Sequence, residues 1–180
     1  IFTGRGCPNY CTFCSWPETL MGRKYRVRSV KDVVDEFEFI KNKLPEVKEI
    51  FIEDDSFTID RNRIVKFCDE LMERDINIVW SCQSRAELDY ATMKKMKEAG
   101  CRLLDVGFES GSDEILKNIK KGVTVQQLRE FTVDAKRAGL KILADFVIGF
   151  PGETKETAEQ TINFIKEIKP DILQVAVATP

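Results

Sequence analysis

Apolar and polar residues follow two different rhythms along this chain. Short apolar runs, typical of buried β-strands, are separated by longer stretches in which apolar residues recur every three or four positions, as they do in amphipathic helices. The short runs predict six strands, at residues 1–3, 49–55, 76–82, 102–108, 141–148 and 172–178.

Helices are predicted between these strands, because each helical stretch begins with a residue that can cap a helix N-terminus. The predicted capping residues are Ser29, Asp60, Asp89, Ser112, Thr124 and Thr154. Strands that alternate with helices favour a parallel sheet made of βαβ units. Since six strands are fewer than the eight of a closed barrel, we expect an α/β fold in the form of a partial, open (β/α)6 barrel of the TIM type.

Polar or glycine-containing clusters follow five of the predicted strands. They lie at residues 6–14, 53–55, 83–85, 109–112 and 149–153. In a parallel barrel the carboxyl ends of the strands meet at one face, and that face carries the active site. Loops are polar in general, and this alone would explain any one of the clusters. Five clusters in the same position relative to their strands indicate one shared site.

Composition narrows the class of protein. The chain has 180 residues, of which 43% are apolar and 32% are charged, as in a single soluble globular domain. Its net charge of −2 gives no general reason to expect a nucleic-acid partner. The sequence contains neither a signal peptide nor an apolar run of the roughly 20 residues that cross a bilayer, so we expect a cytoplasmic protein without a transmembrane segment. The chain has no initiator Met, starts within an apolar strand and ends just as another finishes at Pro180, and residues 1–180 are therefore expected to be one domain of a longer protein.

Three cysteines stand in the first polar cluster with the spacing C-x3-C-x2-C, at Cys7, Cys11 and Cys14. A [4Fe-4S] cluster normally takes one thiolate on each of four irons, so three thiolates leave one iron open to another ligand. Zinc, a disulfide and free thiols remain alternatives. The chain contains no histidine to complete a zinc site, and nothing in it indicates an oxidising compartment. The other three cysteines, Cys68, Cys82 and Cys101, fall in predicted helices and strands as small apolar residues.

The motif C-x3-C-x-aromatic-C, with Phe13 before Cys14, resembles the signature of radical S-adenosylmethionine (radical SAM) enzymes, and the likeness extends over the whole chain. The resemblance implies an enzyme with a barrel core in which Cys7, Cys11 and Cys14 bind a [4Fe-4S] cluster. In that family the cluster cleaves S-adenosylmethionine reductively and gives a 5′-deoxyadenosyl radical. The cofactors would supply the chemistry, and the protein would supply ligation, orientation and exclusion of water.

The resemblance also implies residues that contact S-adenosylmethionine. Phe13 would lie against the adenine, and Lys121 would stand near the carboxylate. The segment that meets the methionine amino group corresponds to Glu53, Asp54 and Asp55. Four further residues are Glu109 and its neighbour Ser110, for the methionine or ribose, and Ile148 and Gly149 in the following turn, for the adenine.

Alternatives remain for several of these side chains. Glu109 and Glu153 are each also interpreted as carboxylates at the start of a helix, where the helix dipole favours negative charge. Arg85 would either bind the cofactor carboxylate or pair with Glu87 or Asp89.

Three sequence blocks resemble the cobalamin-binding branch of the family, at residues 11–17, 53–58 and 109–122. That branch implies cobalamin held by an N-terminal domain that would precede Ile1. Within it, hopanoid-biosynthesis enzymes are the closest likeness, and magnesium-protoporphyrin ester cyclases and cobalamin-dependent methyltransferases share most of the same features. The reaction would be a rearrangement, cyclisation or methylation of an unactivated carbon on a lipid or tetrapyrrole.

Further partners and functions follow from the same reasoning. The resemblance implies a small-molecule or lipid substrate and an electron donor such as flavodoxin or ferredoxin, with no nucleic-acid partner. A methylthiotransferase of the same family is an alternative function. A non-enzymatic module held together by zinc or an iron-sulfur site is a second alternative.

Overall fold

A parallel sheet forms the centre of the computed structural model, which describes residues 1–179. A small antiparallel ribbon precedes it, formed by β1 (Gly4–Arg5) and β2 (Arg26–Val27). The five strands of the parallel sheet are β3 (Glu49–Ile52), β4 (Val79–Ser84), β5 (Cys101–Glu109), β6 (Lys141–Ile148) and β7 (Ile172–Val177). They lie side by side in chain order and the sheet does not close, which confirms the predicted open α/β barrel.

Helices connect the strands. They are α1 (Trp16–Thr19), α2 (Val30–Lys43), α3 (Arg61–Glu73), α4 (Tyr90–Glu98), α5 (Asp113–Asn118), α6 (Val125–Arg137) and α7 (Lys155–Ile168), with a 3₁₀ turn at Phe57–Ile59. Five of the six predicted capping side chains accept a backbone hydrogen bond at the helix start; the sixth, Ser112, stands at the N-cap of α5 without one. No helix within residues 1–179 is both long and apolar enough to cross a membrane.

One face of the sheet packs against the helices and forms the core. Along β6, Ile142, Ala144 and Phe146 are buried on this face. Asp145 lies between them in sequence, and its side chain therefore projects from the opposite, concave face. Since all the strands are parallel, the concave face opens at their carboxyl ends, where the candidate site lies.

The first predicted strand differs from the structure. Residues 1–3 do not form a full strand, because only Ile1 pairs with the sheet. Its N–H donates to the Phe51 carbonyl at 2.8 Å, and its carbonyl accepts from Glu53 N–H at 2.8 Å. The Asp54 carboxylate accepts hydrogen bonds from the N–H groups of Thr3 and Gly4, which would otherwise continue the hydrogen-bonded pairing with the sheet. The expectation of six strands is therefore wrong for residues 1–179, in which the parallel sheet has five.

Candidate active site

A cavity of about 200 Å³ opens at the carboxyl ends of the strands. It brings together side chains from four of the five polar clusters found in the sequence. The lining residues are Cys7, Cys11, Phe13, Cys14, Asp55, Gln83, Ser84, Arg85, Asp105, Gly107, Glu109, Lys121 and Asp145. Three thiols, four carboxyl groups and two cationic side chains therefore face one small volume.

Two carboxylates hold the start of the cysteine loop, which we define as residues 6–14. Asp54 is almost fully buried and accepts hydrogen bonds from Thr3 N at 2.6 Å, Thr3 Oγ1 at 2.5 Å and Gly4 N at 2.9 Å. Asp55 accepts from Gly6 N at 2.7 Å. Gly6 has φ of 92°, and a Cβ at this position would lie 2.2 Å from the Lys24 carbonyl oxygen, so only glycine fits. The loop is thus fixed to the end of β3 before its first cysteine.

The three loop cysteines are free thiols, each partly exposed. The loop closes on the body of the protein through Cys7 N, which donates to Gly22 O at 3.2 Å, and Thr12 N, which donates to Ile119 O at 2.9 Å. Burial raises the pKa of the Cys14 thiol, while the backbone N–H of Trp16 and the Lys121 ammonium act in the opposite direction.

The three loop cysteines supply the donor type that an iron-sulfur cluster uses. Within residues 1–179, no three His, Cys, Asp or Glu side chains converge closely enough to hold one metal ion. The thiolates of an iron-sulfur cluster bind separate irons and need not converge on one point. Three thiols are therefore donors that a multi-iron group can use, and their role as its ligands stays a prediction.

The remaining cysteines, Cys68, Cys82 and Cys101, are fully buried in the core, as expected. Burial raises the pKa of the Cys68 and Cys82 thiols, which disfavours the thiolate form that a metal ligand requires.

Two predicted cofactor residues, Glu109 and Lys121, bind each other. Lys121 Nζ donates to Glu109 Oε1 at 2.7 Å, and both side chains are about 8% exposed. The strand register shifts between Gly107 and Glu109, and Glu109 has φ of 65°, so the chain bulges there and turns the carboxylate into the cavity. A Cβ on Gly107 would lie 2.2 Å from Glu109 Oε1 and 2.8 Å from Lys121 Nζ, so the pair depends on this glycine. The ammonium also lies 5.9 Å from the centre of the Phe13 ring.

The pairing alternative for Arg85 is confirmed, and its contact with a cofactor carboxylate stays a prediction. Its guanidinium pairs with Glu87, with Nε 2.8 Å from Oε2, as one alternative expected. The same group donates to the Lys121 carbonyl at 2.7 Å and lies 3.8 Å from Cys11 Sγ. With its side chain 11% exposed, Arg85 places a positive charge beside the thiols.

The structure adds two site residues that sequence reasoning missed. Asp105 on β5 and Asp145 on β6 both line the cavity on the concave face, and each carboxyl group affects the pKa of the other. Burial and the Asp105 carboxyl raise the pKa of Asp145 to about 7, and burial also raises the pKa of Asp105. One oxygen of Asp145 is buried without a hydrogen-bond partner in residues 1–179. A charged residue in the middle of an apolar strand was the available signal.

The other predicted cofactor residues lie outside the cavity lining. Asp54 is beneath the loop, Glu53 is exposed, and Ser110 is buried against the Thr161 hydroxyl at 3.1 Å. Ile148 is the last residue of β6 and Gly149 follows it, directly before Phe150, whose ring centre is 5.1 Å from that of Phe13. Their contacts with a cofactor stay predictions.

Comparison with known proteins identifies a family. The sequence profile described as the Radical SAM superfamily matches residues 1–165. An uncharacterized methyltransferase from Pyrococcus horikoshii is 38% identical over 181 residues, covering 100% of this chain. The anaerobic magnesium-protoporphyrin IX monomethyl ester cyclase from Rubrivivax gelatinosus is 32% identical over 179 residues, covering 98% of this chain. The chain spans only 39% and 32% of the length of these two relatives.

A solved structure has the same fold. It is the radical S-adenosylmethionine methyltransferase TsrM from Kitasatospora setae, with cobalamin and a [4Fe-4S] cluster bound. It superimposes with a TM-score of 0.88 at 19% identity, over 98% of this chain and 36% of that one. The expected likeness to cyclases is confirmed in sequence, and the likeness to a cobalamin-binding methyltransferase is confirmed at the level of the fold, whereas the closeness to hopanoid-biosynthesis enzymes stays a prediction.

Proposed function

The chain belongs to the radical SAM superfamily, and from this premise we propose that it is the core domain of a longer enzyme that cleaves S-adenosylmethionine reductively at a [4Fe-4S] cluster. The observation that carries the proposal is the cysteine loop. Its three free thiols line one wall of a cavity whose other walls hold Arg85, Lys121 and the strand-end carboxyl groups.

Cys7, Cys11 and Cys14 would hold the cluster, and the count of three leaves one iron for the substrate cofactor. When bound, the two cofactors supply a one-electron cleavage of a carbon–sulfur bond. The chain's own part is orientation and charge. Arg85 and Lys121 offset the negative charge of the thiolates, and both lie where they also attract a carboxylate.

Phe13 would provide an apolar wall for the adenine. Its ring stands between the Lys121 ammonium, at 5.9 Å, and the buried Phe150, at 5.1 Å. The turn at Ile148 and Gly149 precedes Phe150 and would complete that wall, while Asp55 and Glu109 would meet the polar end of the same molecule. These side chains also exclude water from the reacting bond.

The parent protein would modify an unactivated carbon of a small molecule or a lipid by methylation, cyclisation or rearrangement. Relatives named as a methyltransferase and a cyclase support this range, and the cobalamin in the structural relative supports a cobalamin domain elsewhere in the parent chain. An electron donor such as flavodoxin or ferredoxin would serve it in the cytoplasm, where thiols stay reduced.

The test is anaerobic reconstitution of the full-length protein with iron and sulfide, followed by dithionite and S-adenosylmethionine. Replacement of Cys7, Cys11 or Cys14 with Ala is expected to abolish cluster absorbance and the production of 5′-deoxyadenosine or S-adenosylhomocysteine. The matched control, Cys82→Ala, should keep both and lose only packing energy, about 1–3 kcal/mol. A wild-type protein that holds a cluster but forms neither product with any reductant would refute the proposal.

A further inference from the structure

The antiparallel ribbon places two arginines against each other. Arg5 on β1 and Arg26 on β2 are direct cross-strand partners, and their side chains therefore leave the same face of the ribbon. Both side chains extend to Met21: Arg26 Nη2 donates to the Met21 carbonyl at 3.0 Å, and Arg5 Nη1 lies 3.4 Å from the Met21 sulfur. Because both guanidinium groups reach one residue, two like charges are held close together.

The charges of Arg5 and Arg26 are not paired with a carboxylate anywhere in residues 1–179. Arg28, directly after β2, shows the contrast, because it forms ion pairs with Asp32 at 2.7 Å and with Glu36 at 2.5 Å. Like charges directly opposite each other destabilise an antiparallel pair of strands. An anion from outside these residues would remove that repulsion.

Charges beneath the ribbon do not change this balance. Arg63 and Asp54 are both buried there, and both bind Thr3. Arg63 Nη2 donates to the Thr3 carbonyl at 3.2 Å, and Asp54 accepts from the Thr3 N–H at 2.6 Å. Their opposite charges offset each other, so the net positive charge of the ribbon is that of Arg5 and Arg26.

A groove of about 330 Å³ runs along the ribbon and is lined by both of its strands. Arg5 and Arg26 form part of its wall together with two apolar side chains, Phe2 and Val27, which are 38% and 46% exposed. The Arg5 guanidinium lies 4.3 Å from the centre of the Phe2 ring. The groove shares no lining residue with the cavity at the cysteine loop, so it is a separate site.

The chemistry of the groove selects its ligand. Two guanidinium groups offer paired N–H donors that match the oxygens of a phosphate, and their charge suits a dianion better than a single carboxylate. A phosphate monoester carries a charge of about −1.5 to −2 near neutral pH. Pockets for small organic ligands begin at about 300 Å³, and the exposed faces of Phe2 and Val27 provide apolar surface for a carbon skeleton.

We propose that this groove binds a small organic phosphate, with Arg5 and Arg26 on the phosphate group and Phe2 and Val27 against the organic part. Binding is non-covalent, and it replaces the repulsion between the arginines with two charge-assisted contacts. The proposed function uses no residue of the groove, so either of the two proposals can fail without the other. The net charge of −2 on the whole chain does not favour RNA, which is the competing source of phosphate groups.

The test is calorimetry on the full-length protein in phosphate-free buffer, with phenyl phosphate as the probe. Inorganic phosphate and phenol serve as its two halves. Phenyl phosphate is expected to bind, with an affinity that falls between about 0.05 M and about 0.3 M salt. Inorganic phosphate should bind at least about threefold more weakly, because it buries no apolar surface. Phenol alone should give no measurable heat.

The decisive variant is Arg5→Gln/Arg26→Gln. It removes the cross-strand repulsion and should fold at least as stably as wild type, yet bind phenyl phosphate at least about tenfold more weakly. Arg5→Lys/Arg26→Lys keeps the charge without the planar fork and should show an intermediate affinity.

The matched control is Lys43→Gln/Lys97→Gln, which removes the same charge from the ends of α2 and α4. Both lysines are exposed there, at the edge of the sheet opposite the cysteine loop. The affinity for phenyl phosphate should stay within about twofold of wild type.

Four outcomes would overturn the proposal. The first is an equal affinity for phenyl phosphate in wild type and in Arg5→Gln/Arg26→Gln. The second is inorganic phosphate that binds as tightly as phenyl phosphate, because the groove would then recognise an anion alone. The third is a loss of binding in Arg85→Gln with none in the ribbon variant, which would assign the phosphate to the cavity at the cysteine loop. The last is a single-stranded RNA that binds more tightly than phenyl phosphate and is lost in the ribbon variant.

Discussion

Asp54 is the residue for which sequence resemblance and structure point to different roles. The resemblance assigns it to the methionine amino group, whereas the structure buries it beneath the cysteine loop, where it accepts three hydrogen bonds from Thr3 and Gly4. An Asn in its place has one acceptor oxygen and would turn an N–H group toward these donors. We expect Asp54→Asn to lower the free energy of unfolding by about 2–4 kcal/mol and to lower the iron content after reconstitution.

The control for this prediction is Glu53→Gln, because Glu53 is exposed at the neighbouring position and, within residues 1–179, its side chain does not hydrogen-bond to the loop. It should change stability by less than about 0.5 kcal/mol. Denaturant unfolding and iron analysis are the measurements. If Asp54→Asn is as stable as wild type and loses only affinity for S-adenosylmethionine, the contact implied by the resemblance is right and the anchoring role is wrong.

The titration of Asp145 should make the free energy of unfolding depend on pH. Its pKa is raised to about 7 in the folded protein, by burial first and then by Asp105, against about 3.9 in an unfolded chain. Between these values the folded state holds a proton that the unfolded state has lost. The stabilising contribution of the group is therefore fully present below about pH 4 and is lost as the pH rises through about 7.

Asp145→Asn removes this titration. Between pH 5 and pH 8 the variant should lose less unfolding free energy than wild type, by about 1–2 kcal/mol after allowance for solvent screening of a partly exposed pair. Urea unfolding at both values measures the difference. Asp134→Asn, on α6 and away from the cavity, should follow the wild-type profile. Parallel profiles for wild type and Asp145→Asn would show that the two carboxyl groups do not share a proton.

At the scale of elements, the bulge in β5 determines the shape of the site. It turns Glu109 into the cavity, and Gly107 leaves the space in which Glu109 and Lys121 pair. Gly107→Ala should lower the free energy of unfolding by about 1–3 kcal/mol, because its Cβ overlaps the Glu109 carboxylate. It should also weaken binding of S-adenosylmethionine. A double-mutant cycle tests the cause: Gly107→Ala should cost less in a Glu109→Ala background. Equal costs in both backgrounds would place the strain elsewhere.

Elements with local signals were predictable from the sequence. β6 has the predicted bounds, 141–148, and β7 differs by one residue, because each combines an apolar run with a clear stop. The ribbon was missed because it depends on a contact between residues far apart in sequence. Asp54, some 50 residues away, accepts hydrogen bonds from the backbone N–H groups of Thr3 and Gly4. α1 was missed because four residues are too few to show a helical period.

The same distinction applies to the site as a whole. The cysteine spacing and the polar strand ends locate the cavity, because parallel strands bring their carboxyl ends together whatever their exact bounds. The sequence does not show which of these residues face it. Glu109 and Lys121 meet only because of a bulge, and Asp105 and Asp145 meet only because of the register between β5 and β6.

At the scale of the whole molecule, the open edge of the sheet remains uncovered in residues 1–179. Leu173, Val175 and Val177 of β7 are 46%, 51% and 73% exposed, and they lie in register with Ala144, Phe146 and Ile148. Exposed apolar edge strands pair with other chains. We expect residues 1–180 by themselves to self-associate as their concentration rises, and Val175→Lys to keep them monomeric. Gln174→Lys, which points to the opposite face of the same strand, is the matched control and should suppress association less. Sedimentation velocity measures both. Wild-type residues 1–180 that stay monomeric at about 100 μM, a range in which exposed edges associate, would show that the twist of the strand already protects this edge.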